Sequence, residues 1–327
     1  MIILRKEFSR KLRFFCLNLS LTGGDTMTRK RLTQIFPWIL PVRQKQRKIF
    51  FYLHMALDKN TYARKQSLRL LPEKIFGDSA LMLNEGSGYD LQYQYNKIHN
   101  LKLAAAKVHG LLIKPGETFS LCLAIKDADK ETPYRDGLSL VDGEIRGEYG
   151  GGLCQLSNLL YWLFLHTPLT VTERHGHETE SIPPVNPDEP AGIDATIAEG
   201  WLDLKVRNNT PHTYQLSVTF DGNYIEGAVL CDSRKCGDYR IYNTFCEYVR
   251  RNGIIYQEAE VTREWVSCFS EKRTVKLLYK NSCVIDYPLP KNVPIRESGN
   301  SDAGEKSADE QAESFSGADS SAMKEGF

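Results

Sequence analysis

No run of 18 apolar residues occurs in the 327-residue chain. The longest candidates, 35–42 and 49–57, are too short to cross a bilayer, and the first holds Pro37 and Pro41, so a spanning helix is excluded. Paired cysteine motifs are lacking as well. Eight cysteines stand at 16, 122, 154, 231, 236, 246, 268 and 283, with no C-x-x-C among them. They are too few, over too long a chain, for a disulfide scaffold. Cys231, Cys236 and Cys246 form the closest group, but their spacing does not suit zinc, so no metal and no cofactor is expected. There is no internal repeat. No basic stripe continues through the body, which argues against a nucleic-acid partner. The cysteine usage fits a reducing compartment, so a cytoplasmic location is expected, with membrane association as the variant.

What is present is enough to fold. Hydrophobic residues make up 41% of the chain and charged residues 25%, a balance that supports a packed core and excludes wholly disordered or collagen-like classes. The net charge of +1 hides a gradient. Residues 1–48 carry twelve Lys/Arg against two Asp/Glu, while residues 291–327 carry four against eight. The expected organisation is an extension over 1–26 with Met27 as a candidate start, a basic segment over 27–95, a main domain over 96–290 and a disordered acidic tail over 291–327. Within 27–57, basic clusters alternate with Phe36, Trp38, Phe50, Phe51 and Tyr52. Two readings compete there: peripheral contact with an anionic membrane surface, and a helix packed on the domain with its charges solvated. Prolines 37 and 41 favour the second, because they break a long amphipathic helix.

The chain predicts an α+β fold, in which a glycine loop feeds a buried helix packed with a mostly antiparallel β-region in the C-terminal half. Residues 97–113 show a helical apolar period, ended by Pro115-Gly116, and 88–113 read as strand-free. Residues 118–124 read as a short strand and 127–142 as a loop. After Gly150-Gly151-Gly152, residues 153–166 are apolar on every face, which marks a buried helix. Strand 169–173 follows. Hairpins are expected around Asp221-Gly222-Asn223, Arg251-Asn252-Gly253 and Lys280-Asn281-Ser282. Prolines 183, 184, 187 and 190 predict a loop.

The chemistry concentrates at Gly150-Gly151-Gly152-Leu153-Cys154-Gln155. Glycines allow a sharp turn and close approach. The thiol then falls in the first helical turn, where the partial positive charge favours thiolate. His177 is a candidate base for Cys154 and Asp194 a candidate orienter of that base. His177 is preferred over His175 because Gly176 frees the backbone before it. Gly150, Gly151 and Gly152 are candidate substrate-binding positions. Gln155 is a candidate oxyanion donor or a tie for the loop. Arg174 is a candidate partner for a substrate carboxylate, or else one half of a surface ion pair with Glu173. The plain alternative is that Cys154 is a small buried hydrophobe.

At these residues the sequence resembles the VanW-like domain family. The resemblance is carried by 29–34 (RKRLTQ), 100–105 (NLKLAA), 110–120 (GLLIKPGETFS), 150–158 (GGGLCQLSN) and 164–169 (FLHTPL), with Gly176-His177, Asp194-Ala195-Thr196 and 199–208 (EGWLDLKVRN). It covers about Met27 to Pro290. The resemblance implies a setting of glycopeptide (vancomycin) resistance and cell-wall metabolism in bacteria, and it implies no particular reaction. Two function classes stay open. One is a Cys-dependent, amidase- or transpeptidase-like enzyme acting on a cell-wall peptide or amide. The other is a non-catalytic module that binds a cell-wall precursor or a protein partner, with the glycine loop as its rim.

Overall fold

A computed structural model describes residues 37–83, 90–141, 144–181, 183 and 189–297. The extension expected over 1–26 and nearly all of the acidic tail lie outside the described residues. The chain divides into two compact units, 1–46 and 47–327. The described part of the first is a 3-10 turn, Pro37–Ile39, and the start of helix α1 (Leu40–Leu57).

After α1 come β1 (Thr61–Tyr62), β2 (Glu73–Leu81), helix α2 (Leu91–Val108), β3 (Leu112–Ile113), β4 (Glu117–Ser120) and the one-turn helix α3 (Leu121–Ala124). β5 (Asp136–Val141) and β6 (Glu144–Tyr149) precede helix α4 (Cys154–Leu165). β7 (Thr170–Glu173), β8 (Thr179–Glu180) and β9 (Lys205–Arg207) are short. The remainder is β10 (Tyr214–Asp221), β11 (Tyr224–Cys231), β12 (Gly237–Arg251), β13 (Ile254–Ser267), β14 (Arg273–Ile285) and β15 (Ile295–Glu297). The α+β class and the mostly antiparallel C-terminal half are as expected.

Helix α4 is the centre of the core. Leu156, Leu160, Leu163 and Phe164 are fully buried, and burying a side chain of this size contributes about 1.5–3 kcal/mol. The helix lies on the sheet β2-β11-β10-β3. Its approach is close at Gly227 of β11, where a Cβ would stand 2.6 Å from Leu163 Cδ1. A five-stranded sheet, β15-β12-β13-β14-β8, forms a long ribbon beside it. β12 and β13 turn through Asn252 (φ 51°) and Gly253 (φ 81°), a two-residue hairpin of the kind that matches strand twist.

Five expectations are corrected. Residues 118–124 are strand only as far as Ser120, whose side chain accepts from Leu123 N–H and caps the one-turn helix α3 over 121–124. Residues 280–282 do not turn: β14 is one continuous strand in which Lys280, Asn281 and Ser282 pair with Glu260, Ala259 and Glu258. No glycine is present there to take a positive φ, and the long neighbour β13 supplies the ladder instead. Residues 136–141 are not loop but the first arm of the β5–β6 hairpin. Residues 112–113 form a short strand against β10, although 88–113 read as strand-free. Pro41 does not break α1, because it sits in the first turn, where its missing N–H costs nothing.

Beyond Arg47, α1 is fixed by its inner face. Tyr52 donates to Glu199 Oε1 (2.8 Å), Lys48 pairs with Glu199 (2.5 Å) and Met55 is buried. Its outer face leaves Ile49, Phe50, Leu53 and Leu57 exposed. No helix among the described residues is long and apolar enough to cross a membrane.

Gly151 sets the entry to α4. A Cβ there would collide with the backbone of Gly137 in β5, and the reverse holds at Gly137. Two backbones can be this close only without side chains. Gly151→Ala is expected to lower stability by about 1–3 kcal/mol, the usual size of an overpacking strain. Gly222→Ala, where nothing lies within 4 Å, should cost only its positive-φ penalty of about 1 kcal/mol. Urea denaturation midpoints of the two variants check the order, and equal losses would count against the close approach.

Candidate functional site

The site is built where α4 begins. Gly150 and Gly152 adopt left-handed conformations (φ 75° and 90°). They turn the chain from β6 into the helix, and Cys154 is its first residue. The residue before it, Leu153, offers no side-chain cap. Gly150 N–H donates to Arg135 O and Gly151 N–H to Glu148 O. The N–H groups of Gly152, Leu153 and Cys154 make no hydrogen bond to any described residue. An uncapped helix start with open N–H groups is a place where negative charge is stabilised.

The same helix face grips the segment that carries Asp194. Residues 157, 158 and 161 follow Cys154 at steps of three, four and seven, so they share its face. Ser157 Oγ donates to Ala195 O, and Asn158 Oδ1 accepts from Ala195 N–H (2.8 Å). Tyr161 donates to Tyr279, which donates to Gly192 O (3.0 Å). From the other side, Asn243 at a β-bulge in β12 exchanges two hydrogen bonds with Ala191. Asp194 is thereby held between helix and ribbon.

Asp194 in turn orders the rest. Its Oδ2 accepts from the His177 backbone N–H (2.6 Å) and lies 2.5 Å from His177 Nδ1. Its Oδ1 takes Arg174 (2.5 Å), whose Nε also donates to Asp194 O (2.6 Å) and whose Nη2 donates to Gly192 O (2.9 Å). Burial alone would push the carboxyl pKa up, but His177 and Arg174 hold it below the usual range. Nδ1 is committed to Asp194, and the imidazole lies close enough to the Cys154 thiol for each to shift the other's pKa.

The thiol is half-buried. Its burial favours the neutral form, yet His177, the Thr196 hydroxyl (3.5 Å) and the Ile197 N–H outweigh this and pull its pKa below the ordinary value. Burial likewise opposes the imidazolium, but Asp194 and Cys154 raise the His177 pKa to about 10. The two shifts reinforce each other: the imidazole favours the thiolate and the thiolate favours the imidazolium. By contrast, burial pushes the thiols of Cys122, Cys231, Cys246 and Cys283 up.

The structure thus brings together Cys154, His177 and Asp194. The remaining candidates are placed differently. Arg174, expected at a substrate carboxylate or in a surface pair with Glu173, points inward: its side chain is 6% exposed and commits to Asp194, with the rings of Tyr161 and Tyr279 against its guanidinium. Glu173 pairs instead with Lys205 and His175. Gln155 Nε2 donates to Leu81 O (2.7 Å), so its amide ties the helix start to β2. The donor capacity of the glycine rim begins at Gly152. Ser157, Asn158 and Thr196 also belong to the site and do not stand out in the sequence. Helical spacing from Cys154 could have found the first two, and two-residue spacing from Asp194 the third. No group of three or more His, Cys, Asp or Glu side chains among the described residues is arranged to hold a metal ion.

The fold and site define an α+β protein in which a cysteine heads a buried helix beside an Arg-anchored Asp–His pair. Comparison with known proteins supplies the family. The family profile described as VanW like protein matches residues 96–230. The chain is 50% identical over 272 residues to the vancomycin B-type resistance protein VanW of Enterococcus faecalis (strain ATCC 700802 / V583), covering 83% of this chain and 99% of that protein. It is 31% identical over 113 residues to the uncharacterized protein YoaR of Bacillus subtilis (strain 168), 35% of this chain and 36% of that one. No solved structure matches significantly. The chain belongs to the VanW-like family.

Arg174 is the partner whose loss leaves a buried charge uncompensated. Arg174→Met is expected to destabilise the chain by about 3–5 kcal/mol, as breaking one half of a buried pair does. Denaturant unfolding measures it, and a loss below about 1 kcal/mol, the level of a surface pair, would show that Asp194 does not depend on it.

Proposed function

We propose that this chain is a thiol-dependent acyl-transfer enzyme in which Cys154 is the nucleophile, His177 the acid–base and Asp194 its orienter. One observation carries the reading: Asp194, anchored by Arg174, holds His177 through Nδ1 (2.5 Å) next to the thiol that heads α4, and the imidazole acts to lower that thiol's pKa. The relative's name ties it to vancomycin resistance, and we carry that setting over as the context: a peptide or amide bond of cell-wall material as substrate.

The reaction runs in two halves. Cys154 Sγ adds to the amide carbonyl. Negative charge develops on the carbonyl oxygen, and the open N–H groups at the start of α4 are suited to stabilise it. His177 passes its proton to the leaving amine, the C–N bond breaks and a thioester remains. Water, or a second amine, then attacks the thioester. His177 accepts the proton of that nucleophile, the C–S bond breaks and the thiolate–imidazolium pair is restored. Asp194 fixes the ring throughout and stabilises its cation.

The test is alkylation of Cys154 by iodoacetamide against pH, read by peptide mass. The rate follows thiolate, so a depressed pKa places the midpoint below about 8.5. His177→Ala removes the lead partner while burial remains, so its midpoint should move to or above that value. A native midpoint near 8.5 that His177→Ala does not shift would overturn the enzyme reading and leave the binding module.

A further inference from the structure

The residue above the glycine loop is Lys97. Helix α2 presents one face to that loop, with residues 93, 97 and 100 at steps of four and three. Tyr93 covers Gly147, where a Cβ would stand 2.5 Å from the ring. Asn100 donates to Gly151 O (3.0 Å). Between them the Lys97 stem lies on Gly152, occupying the space that a Cβ there would need. Lys97 therefore runs along the lip of the loop, two residues from Cys154, and helical side chains lean toward the helix N-terminus.

Its ammonium is without a carboxylate. Lys48, Lys205, Lys235 and Lys280 each pair with an acid, but Lys97, half-buried, has no ion pair and no hydrogen bond to a described residue. Burial with nothing to offset it lowers its pKa to about 8, and leaving such a charge unpaired is costly. The same loop leads into the N–H groups of Gly152, Leu153 and Cys154, which make no hydrogen bond to a described residue. Every polar group named there favours an anion.

We propose that Lys97 forms an anion subsite beside Cys154, so that the acyl substrate carries a carboxylate close to its scissile amide. This rests on the reading of Cys154 as the nucleophile and names the class of substrate that the nucleophile takes. The subsite adds specificity: the Lys97 stem lies on the loop that leads into α4, so a carboxylate held by Lys97 brings the neighbouring carbonyl toward the sulfur.

Two alkylating reagents of nearly equal size test this on the full chain. Iodoacetate is an anion and iodoacetamide is neutral. The ratio of their rates at Cys154 cancels any change in thiolate content and reads the cationic subsite alone. Lys97→Met should lower the ratio about fivefold, the scale of one charge interaction at a partly exposed site, and Lys97→Arg should restore it. Label appearing on buried Cys122 would reveal unfolding of the Met variant, and Lys97→Gln then decides. A ratio unchanged in the folded neutral variant overturns the subsite. The failure of the nucleophile reading looks different: the iodoacetamide midpoint of the native chain would be ordinary whatever the ratio.

Discussion

The Asp194 carboxylate, held inside the protein between one guanidinium and one imidazole, is the contact on which the rest of the site depends. A buried carboxylate is unfavourable by several kcal/mol unless it is paired and hydrogen-bonded. Here one oxygen takes Arg174 and the other takes both the ring and the backbone N–H of His177. The backbone contact sets where residue 177 lies, and the ring contact sets which way the imidazole faces. Arg174 binds the carbonyls of Asp194 and Gly192 as well, so the guanidinium fixes the loop that carries the charge it neutralises.

That arrangement needs a frame, and the long ribbon provides it. β14 runs unbroken to Ile285, and its last turn of ladder receives β8, with Val284 N–H donating to Glu178 O (2.9 Å) and Asp286 N–H to Glu180 O (2.9 Å). This clamps the chain just after His177. The bulge in β12 turns Asn243 onto Ala191, which clamps it just before Asp194. Had residues 280–282 turned into a hairpin, β14 could not reach β8. Helix α4 closes the frame from the opposite side through Ser157 and Asn158, so one element carries both Cys154 and the grip on the loop that holds Asp194.

Much of this was legible in the sequence where a residue type has few physical uses. Three consecutive glycines before an apolar stretch can only be a tight turn into a buried helix, and Asn-Gly or Gly-Asn between alternating stretches can only be a hairpin. That His177 and Asp194 belong together was legible from their residue types, and the structure joins them by hydrogen bonds. What was not legible is what depends on contacts between distant residues. Arg174 reads as surface charge beside Glu173, because nothing local reveals that Asp194, twenty residues on, turns it inward. Lys-Asn-Ser at 280–282 has turn composition, and only the neighbouring strand overrides it. Lys97 is one polar position in a helix until the loop against it is known to be glycine.

Burial itself does not decide whether a cysteine is inert, as the other thiols of this chain show. Cys122 is buried with Asp203 and Glu199 nearby, so desolvation and like charge act in one direction and its pKa rises. Cys283 is buried beside Glu180 and is pushed up to about 12. At Cys154 desolvation is again the largest single influence, and it again favours the neutral thiol. The difference is the sign of what surrounds the sulfur: a protonated imidazole, a hydroxyl and a backbone N–H, at the positive end of a helix. Removing water strengthens those interactions together with the penalty they oppose. A thiol in an acidic surrounding is silenced by burial, whereas one among donors is made more dependent on them. The ionisation of Cys154 is therefore set by His177, and through it by Asp194 and Arg174.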